Sequence, residues 1–148
     1  MKGASIFKLN NGYVIHSTSE TVDGFSIASK PFIRLDTKAT IDDVVENILL
    51  ALRASQKGVP TPGDWSKFNQ EFIMSLGIKS KTVLNKENVK YCSIGLDNDT
   101  IVFTPTRHAV APEKGFLHNP NEEVVSISLE ASAESIANAL IEALSRCE

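Results

Sequence analysis

Asn11-Gly12 stands between two short apolar runs, Ile6, Phe7 and Leu9 before it and Tyr13, Val14 and Ile15 after it. A two-residue hairpin turn of type I′ needs positive φ at both central residues, and Asn and Gly adopt it at least cost. The spacing therefore predicts an antiparallel pair of strands at the start of the chain. Two further extended pieces follow, Phe25 to Ile27 and Phe32 to Leu35. Pro31 before the second suits an edge strand or the first residue of a strand, because it has no N–H to give a ladder.

The period then changes. Ile41, Val44, Val45, Ile48, Leu49 and Leu52 recur at helical spacing and form one apolar stripe. Thr40 is placed to cap this helix, with Asp42 and Asp43 favourable near its positive end, and Gly58 and Pro60 are expected to end it. Gly58 to Gly63 reads as a rigid connector. Asp64 then caps a second helix carrying Trp65, Phe68, Phe72, Ile73 and Leu76 on one side, with Gly77 as its stop and a short helical turn at Ser80 to Asn85. Alternation returns at Cys92, Ile94 and Leu96, and a turn at Asp97-Asn98-Asp99 leads to Ile101, Val102 and Phe103, which predicts a second hairpin. Thr104 to Pro120 reads mostly as loop. Val125, Ile127 and Leu129 form a last strand, and Ser132 caps a final helix with Ile136, Leu140, Ala143 and Leu144 inside. Paired strands and clustered helices predict an α+β fold, a mainly antiparallel sheet with about three helices packed on it.

The chain has 148 residues, which predicts one domain over 1–148, large enough to fold without a disulfide or metal staple. With 42% hydrophobic and 22% charged residues it is neither collagenous nor disordered. No run approaches the ~18 apolar residues of a membrane span. Lys8, Asn10 and Asn11 interrupt the N-terminal apolar stretch, so no secretory signal is expected. Cys92 and Cys147 are distant in sequence and make no disulfide framework, which fits a reducing cytoplasm. A net charge of −3 argues against a dedicated nucleic-acid binder and leaves room for a basic partner.

Catalytic signals are few. No Cys/His spacing matches a zinc site, and neither a phosphate-binding glycine loop nor a nucleophile elbow is present. Asp97 and Asp99 lack the glycine and distal Glu of a calcium loop and read as turn chemistry. No metal or cofactor is expected. His108 and His118 flank a segment with Arg107 and Lys114, a set able in principle to hold a phosphate or run acid–base cleavage. The blander reading is a loop that collects polar residues. His16, on a strand, has a buried structural role as its expectation. Trp65 heads an apolar stripe, so core packing is its expected role and an exposed hot spot the alternative. The acids Glu20, Asp23, Asp97, Asp99, Glu122 and Glu123 are ordinary solvated charges unless the fold brings them together. In that case they form a negative patch suited to a basic partner.

Gly12 to His16, Gly24 to Ile27 with Pro31, Ala51-Leu52 with Ser55, and Gly58-Val59-Pro60 with Pro62 and Trp65 form an ordered series. It continues with Gly77 to Ser80, Ile101 to Arg107, Gly115 to His118, Ala143-Leu144 and Cys147-Glu148. In order and spacing the series resembles the bacterial contact-dependent growth inhibition immunity proteins. That resemblance implies a cytoplasmic antitoxin that binds the C-terminal toxin domain delivered by a neighbouring cell. The implied toxin is ribonuclease-like, in some cases of the pancreatic kind, and is blocked by covering its active site, with no chemistry by the inhibitor. A ribonuclease site is cationic because it holds phosphates, so an acidic inhibitor suits it. The contact residues expected are Glu20, Asp23, Asp97 and Asp99, with Glu122 and Glu123 in reserve. The alternative reading is a small phosphate-binding or hydrolytic enzyme using His108, His118 and Arg107.

Overall fold

The structure is a computed structural model describing residues 2–148. Strands β1 (Lys2–Leu9), β2 (Gly12–Thr21) and β3 (Ser26–Leu35) open the chain. Helix α1 (Ile41–Ala54), β4 (Lys57–Val59), helix α2 (Trp65–Leu76) and a 3₁₀ turn at Lys81–Asn85 follow. Then come β5 (Lys90–Asp97), β6 (Thr100–His108), β7 (Phe116–His118), β8 (Val125–Ser128) and helix α3 (Ala133–Ser145). The eight strands form one mainly antiparallel sheet in the order β3-β2-β1-β5-β6-β7, with β4 pairing β2 and β8 pairing β6. This is the α+β architecture expected from the sequence, three helices on an antiparallel sheet.

The first hairpin forms, but its turn lies one residue earlier than expected. Leu9 pairs with Gly12, so Asn10 and Asn11 make the turn, and neither has positive φ. Gly12 itself is needed for another reason. Its φ is 134°, and a Cβ there would stand 1.9 Å from the Leu35 carbonyl oxygen at the end of β3. The two extended pieces around Pro31 are one edge strand. Between Phe32↔His16 and Ser29↔Ser17 the pairing skips Lys30 and Pro31, so proline sits in a bulge where no ladder N–H is required.

Caps behave as the sequence dictates. Thr40 and Asp43 form a reciprocal capping box at α1, Asp64 accepts from the Lys67 N–H, and Ser132 accepts from the Ser135 N–H. Gly77 ends α2 in the left-handed conformation. Helix α1, however, stops at Ala54, before Gly58. Ser55 turns extended (φ −59°, ψ 133°), and the next residues run beside β2. The Glu20 N–H donates to the Gln56 carbonyl (2.9 Å) and the Val22 N–H to the Val59 carbonyl (2.9 Å). The expected connector is thus partly a strand, β4, parallel to β2. Backbone groups along that stretch of β2 need partners, and β4 supplies them.

The expected loop Thr104 to Pro120 is also partly strand. β6 continues through Pro105 to His108, and β7 returns against it at Thr106↔His118. Pro105 falls where the outer neighbour of β6 changes from β8 to β7, so its missing N–H disrupts no continuous ladder there.

Each face of the sheet has its own cover. Ala4, Ile6, Ile15, Cys92, Ile94, Ile101 and Phe103 form one core with the inner faces of α1 and α3. On the opposite face, Leu9 and Val14 pack under Phe72 and Leu76 of α2 and Ile78, Leu84 and Val89 beyond it. That second cover spans only one end of the face. At the other end, near Lys2, the sheet is open.

Candidate functional site

The open end of the sheet is floored by Gly3, Thr18, Ser93, Gly95, Val102 and Thr104, which line a cleft of about 340 Å³. Residues two apart on a strand share a face, so small side chains on four neighbouring strands make the floor shallow and smooth. Ser55 holds this end together. The Gly3 N–H donates to Ser55 Oγ (3.0 Å), and the Ser55 hydroxyl donates to the Thr18 carbonyl, so one side chain bridges β1 and β2. Lys2 Nζ reaches over the end of α1 to the Arg53 carbonyl (3.0 Å).

Register decides where the acids lie. Gly3 pairs with Thr18 on one side and with Gly95 on the other. Glu20 and Asp97 are each two residues further along strands that run in the same direction. They therefore stand level, on the open face, two strand spacings or about 10 Å apart. Both are exposed. Asp23 lies in the adjacent β2–β3 turn, where its Oδ2 accepts from the Thr61 hydroxyl (2.6 Å). Asp99 lies in the β5–β6 turn beside Asp97, in a two-residue loop that Asn98 closes with a φ of 54°. Four of the six acids named from the sequence thus gather at one end of the sheet.

The other two do not. Glu122 and Glu123 precede β8 on the far side of β6, next to the end of α3. Arg146 engages both, its Nε standing 4.0 Å from Glu122 Oε2 and its Nη1 donating to the Glu123 carbonyl (3.0 Å). One acid the sequence did not single out joins the first group. The Leu129 N–H binds the Asp99 carbonyl (2.7 Å), which brings exposed Glu130 to the hairpin tip.

Trp65 is not a core residue. It is 45% exposed and meets Phe25 (55% exposed) edge-to-face with ring centroids 6.4 Å apart; Phe68 backs it at 5.8 Å. The core expectation fails because Trp65 opens α2 where the chain has just left β4, beyond the part of the sheet that α2 covers. Exposed Val22 belongs to the same turn as Phe25. An apolar patch therefore adjoins Glu20 and Asp23. No periodicity on one element reveals it, since it joins a turn to a helix start.

Two of the histidines, His16 and His108, are occupied structurally, while His118, opposite Thr106 on β7, is exposed. His16 is buried among Phe7, Phe32 and Phe72, and its Nδ1 is 2.8 Å from the Ser17 carbonyl. Burial holds its pKa below the ordinary 6.5, opposed by that hydrogen bond. His108 places Nε2 2.7 Å from the Val89 carbonyl and its ring against Phe116. Arg107 lies on the opposite face of β6 from His108, and its Nε is buried without a hydrogen-bond partner. The strand separates it from the His108 ring, so the two do not form one site. Among the described residues, no group of three or more His, Cys, Asp or Glu converges as a metal site. Among the described residues, no helix is long and apolar enough to cross a membrane.

No curated protein sequence matches this chain. Solved structures share its fold, two of them over nearly its whole length. One is a protein of unknown function from Neisseria meningitidis, 22% identical over 99% of this chain and 95% of that one, with a TM-score of 0.77. The other is a chain of the CdiA-CT/CdiI toxin and immunity complex from Yersinia pseudotuberculosis, 19% identical over 99% of this chain and 97% of that one, with a TM-score of 0.75. The model of the family described as CdiI, CDI immunity protein, matches residues 2–147.

Proposed function

The chain belongs to the CDI immunity protein family, and on that premise we propose that it binds and neutralises the C-terminal toxin domain of a cognate contact-dependent growth inhibition effector. In this reading the toxin is of ribonuclease type, the inhibitor covers its active site, and the encounter takes place in the cytoplasm, where RNA is the target. The protein acts by occupying a surface and performs no reaction.

The observation that carries the reading, beyond the family, is the composition of the open sheet end. Glu20, Asp97 and Asp99 project there without an ion-pair partner among the described residues. An active site that binds phosphates must be cationic, so opposite potentials steer the two proteins together and fix their register. The adjoining patch of Val22, Phe25 and Trp65 has the make-up of a binding hot spot, aromatic anchors beside a polar rim. Glu122 and Glu123 belong to a secondary position, because their segment lies beyond β6, away from the open sheet end, and Glu122 already faces Arg146.

The test is co-expression with the toxin domain encoded beside this protein, followed by purification through a tag on one partner. Copurification together with survival of the cells is the expected result. Growth arrest despite good expression of this chain, with no complex recovered, refutes the reading.

A further inference from the structure

Cys92 and Cys147 are distant in sequence, yet the fold brings them together inside the core. Cys92 faces α3 from β5 and has no exposure; Cys147 follows α3 and is 4% exposed. Cys147 Sγ is 3.2 Å from the carbonyl oxygen of Tyr91, the residue that precedes Cys92, and 3.3 Å from that of Ala143. Both sulfurs belong to the same buried cluster between β5 and α3, and both are free. Nothing in the toxin-binding reading uses them.

We propose that Cys92 and Cys147 are a latent disulfide site that ties the C-terminus to the centre of the sheet when the protein meets a peroxide oxidant. The neighbouring Cys92, with the backbone at Thr106 and the charge of Lys90, holds Cys147 below the ordinary thiol value against the effect of burial. Cys92 is pushed up, by the neighbouring Cys147 and by burial. Their roles follow from burial, since Cys147 keeps a little exposure and Cys92 has none. The Cys147 thiolate attacks one oxygen of hydrogen peroxide, the O–O bond breaks, and hydroxide leaves, giving a sulfenic acid. Cys92 sulfur then displaces the sulfenic oxygen. Its thiol proton and the one that neutralises the first hydroxide leave in water, so two thiols and one peroxide become one disulfide and two waters.

Access comes through the segment after α3. Residues after α3 are held to β6 by the Glu148 N–H to the Thr106 carbonyl (2.9 Å) and the His108 N–H to the Glu148 carbonyl (3.2 Å). A segment held by a few backbone bonds opens locally at low cost, and a small oxidant needs only a brief opening.

The experiment treats the reduced full-length protein with hydrogen peroxide and follows intact mass, peptide mapping and thermal unfolding. The expected product has lost two hydrogens, carries a Cys92–Cys147 link, and reverts with a dithiol reductant. Closing so long a loop is expected to raise Tm by about 5–15 °C. In Cys92→Ser the sulfenic acid at Cys147 should persist and be trapped by dimedone, with no rise in Tm. Sulfinic acid at Cys147 in the unsubstituted protein with Cys92 still free, or a link only between molecules, overturns the proposal. So does retention of both thiols under conditions that oxidise them in the unfolded chain. Because every readout is on the isolated protein, failure here leaves toxin binding untouched.

Discussion

Replacing Ser55 by Ala tests whether one hydroxyl holds the open end of the sheet. Ser55 stands between the Gly3 N–H and the Thr18 carbonyl and is 8% exposed. Alanine strands one donor and one acceptor at a site where the β1–β2 ladder is already spread to admit the side chain. Each unsatisfied buried group costs about 1–3 kcal/mol, and water entering from the adjoining cleft recovers part of it, so a loss of about 2 kcal/mol is expected. For a domain of this size that lowers Tm by roughly 4–8 °C. Urea unfolding followed by fluorescence measures it, with the midpoint falling and the slope unchanged. Amide exchange locates it, faster at Gly3 while Ile6, buried under α1, keeps its protection. A loss below about 0.5 kcal/mol with Gly3 still protected would mean that the strands close directly without the bridge, and the account of this end of the sheet would be wrong.

Three further outcomes follow from the same geometry. Reversing Glu20 and Asp97 together to Lys should slow association with the cognate toxin about ten-fold or more at low salt and flatten its salt dependence; unchanged kinetics would remove the steering argument. Trp65→Ala should cost only about 1 kcal/mol of stability, since the residue is half exposed and loses edge-to-face contacts with Phe25 and Phe68, while weakening toxin binding by well over ten-fold. A change in Kd below about three-fold would show that the patch is not the anchor. His16 is held neutral by burial, so the unfolded chain takes up its proton at a higher pH than the folded one. Stability should therefore be at its plateau above the ordinary value of 6.5 and fall as pH drops below it, and His16→Phe should flatten that slope. An unaltered acid limb in the variant would assign the slope to other groups.

The elements of this protein were legible because their causes are local. Thr40, Asp64, Ser132 and Gly77 each satisfy a helix end within a few residues of themselves. The apolar stripes of α1 and α3 and the alternation in β5, β6 and β8 follow from the periods of helix and strand, and the ordered series of motifs along the chain, strongest from Ile101 to Arg107, carried the family resemblance. Part of the candidate site was legible too, as a set of acids on turns beside strands.

What the sequence could not decide was everything that depends on register between distant segments. Glu20 and Asp97 stand level only because Gly3 pairs with Thr18 and Gly95 at once. Glu122 and Glu123 leave the group because their segment joins the far side of β6 and meets Arg146. β4 and β7 carry weak strand signals and exist because exposed edges of β2 and β6 offer them backbone partners. Trp65 reads as core on its own helix, yet lies outside because α2 covers only one end of the sheet. Local propensity fixed which segments are helix or strand; the pairing of strands far apart in the chain decided which charges share a surface and which two sulfurs meet.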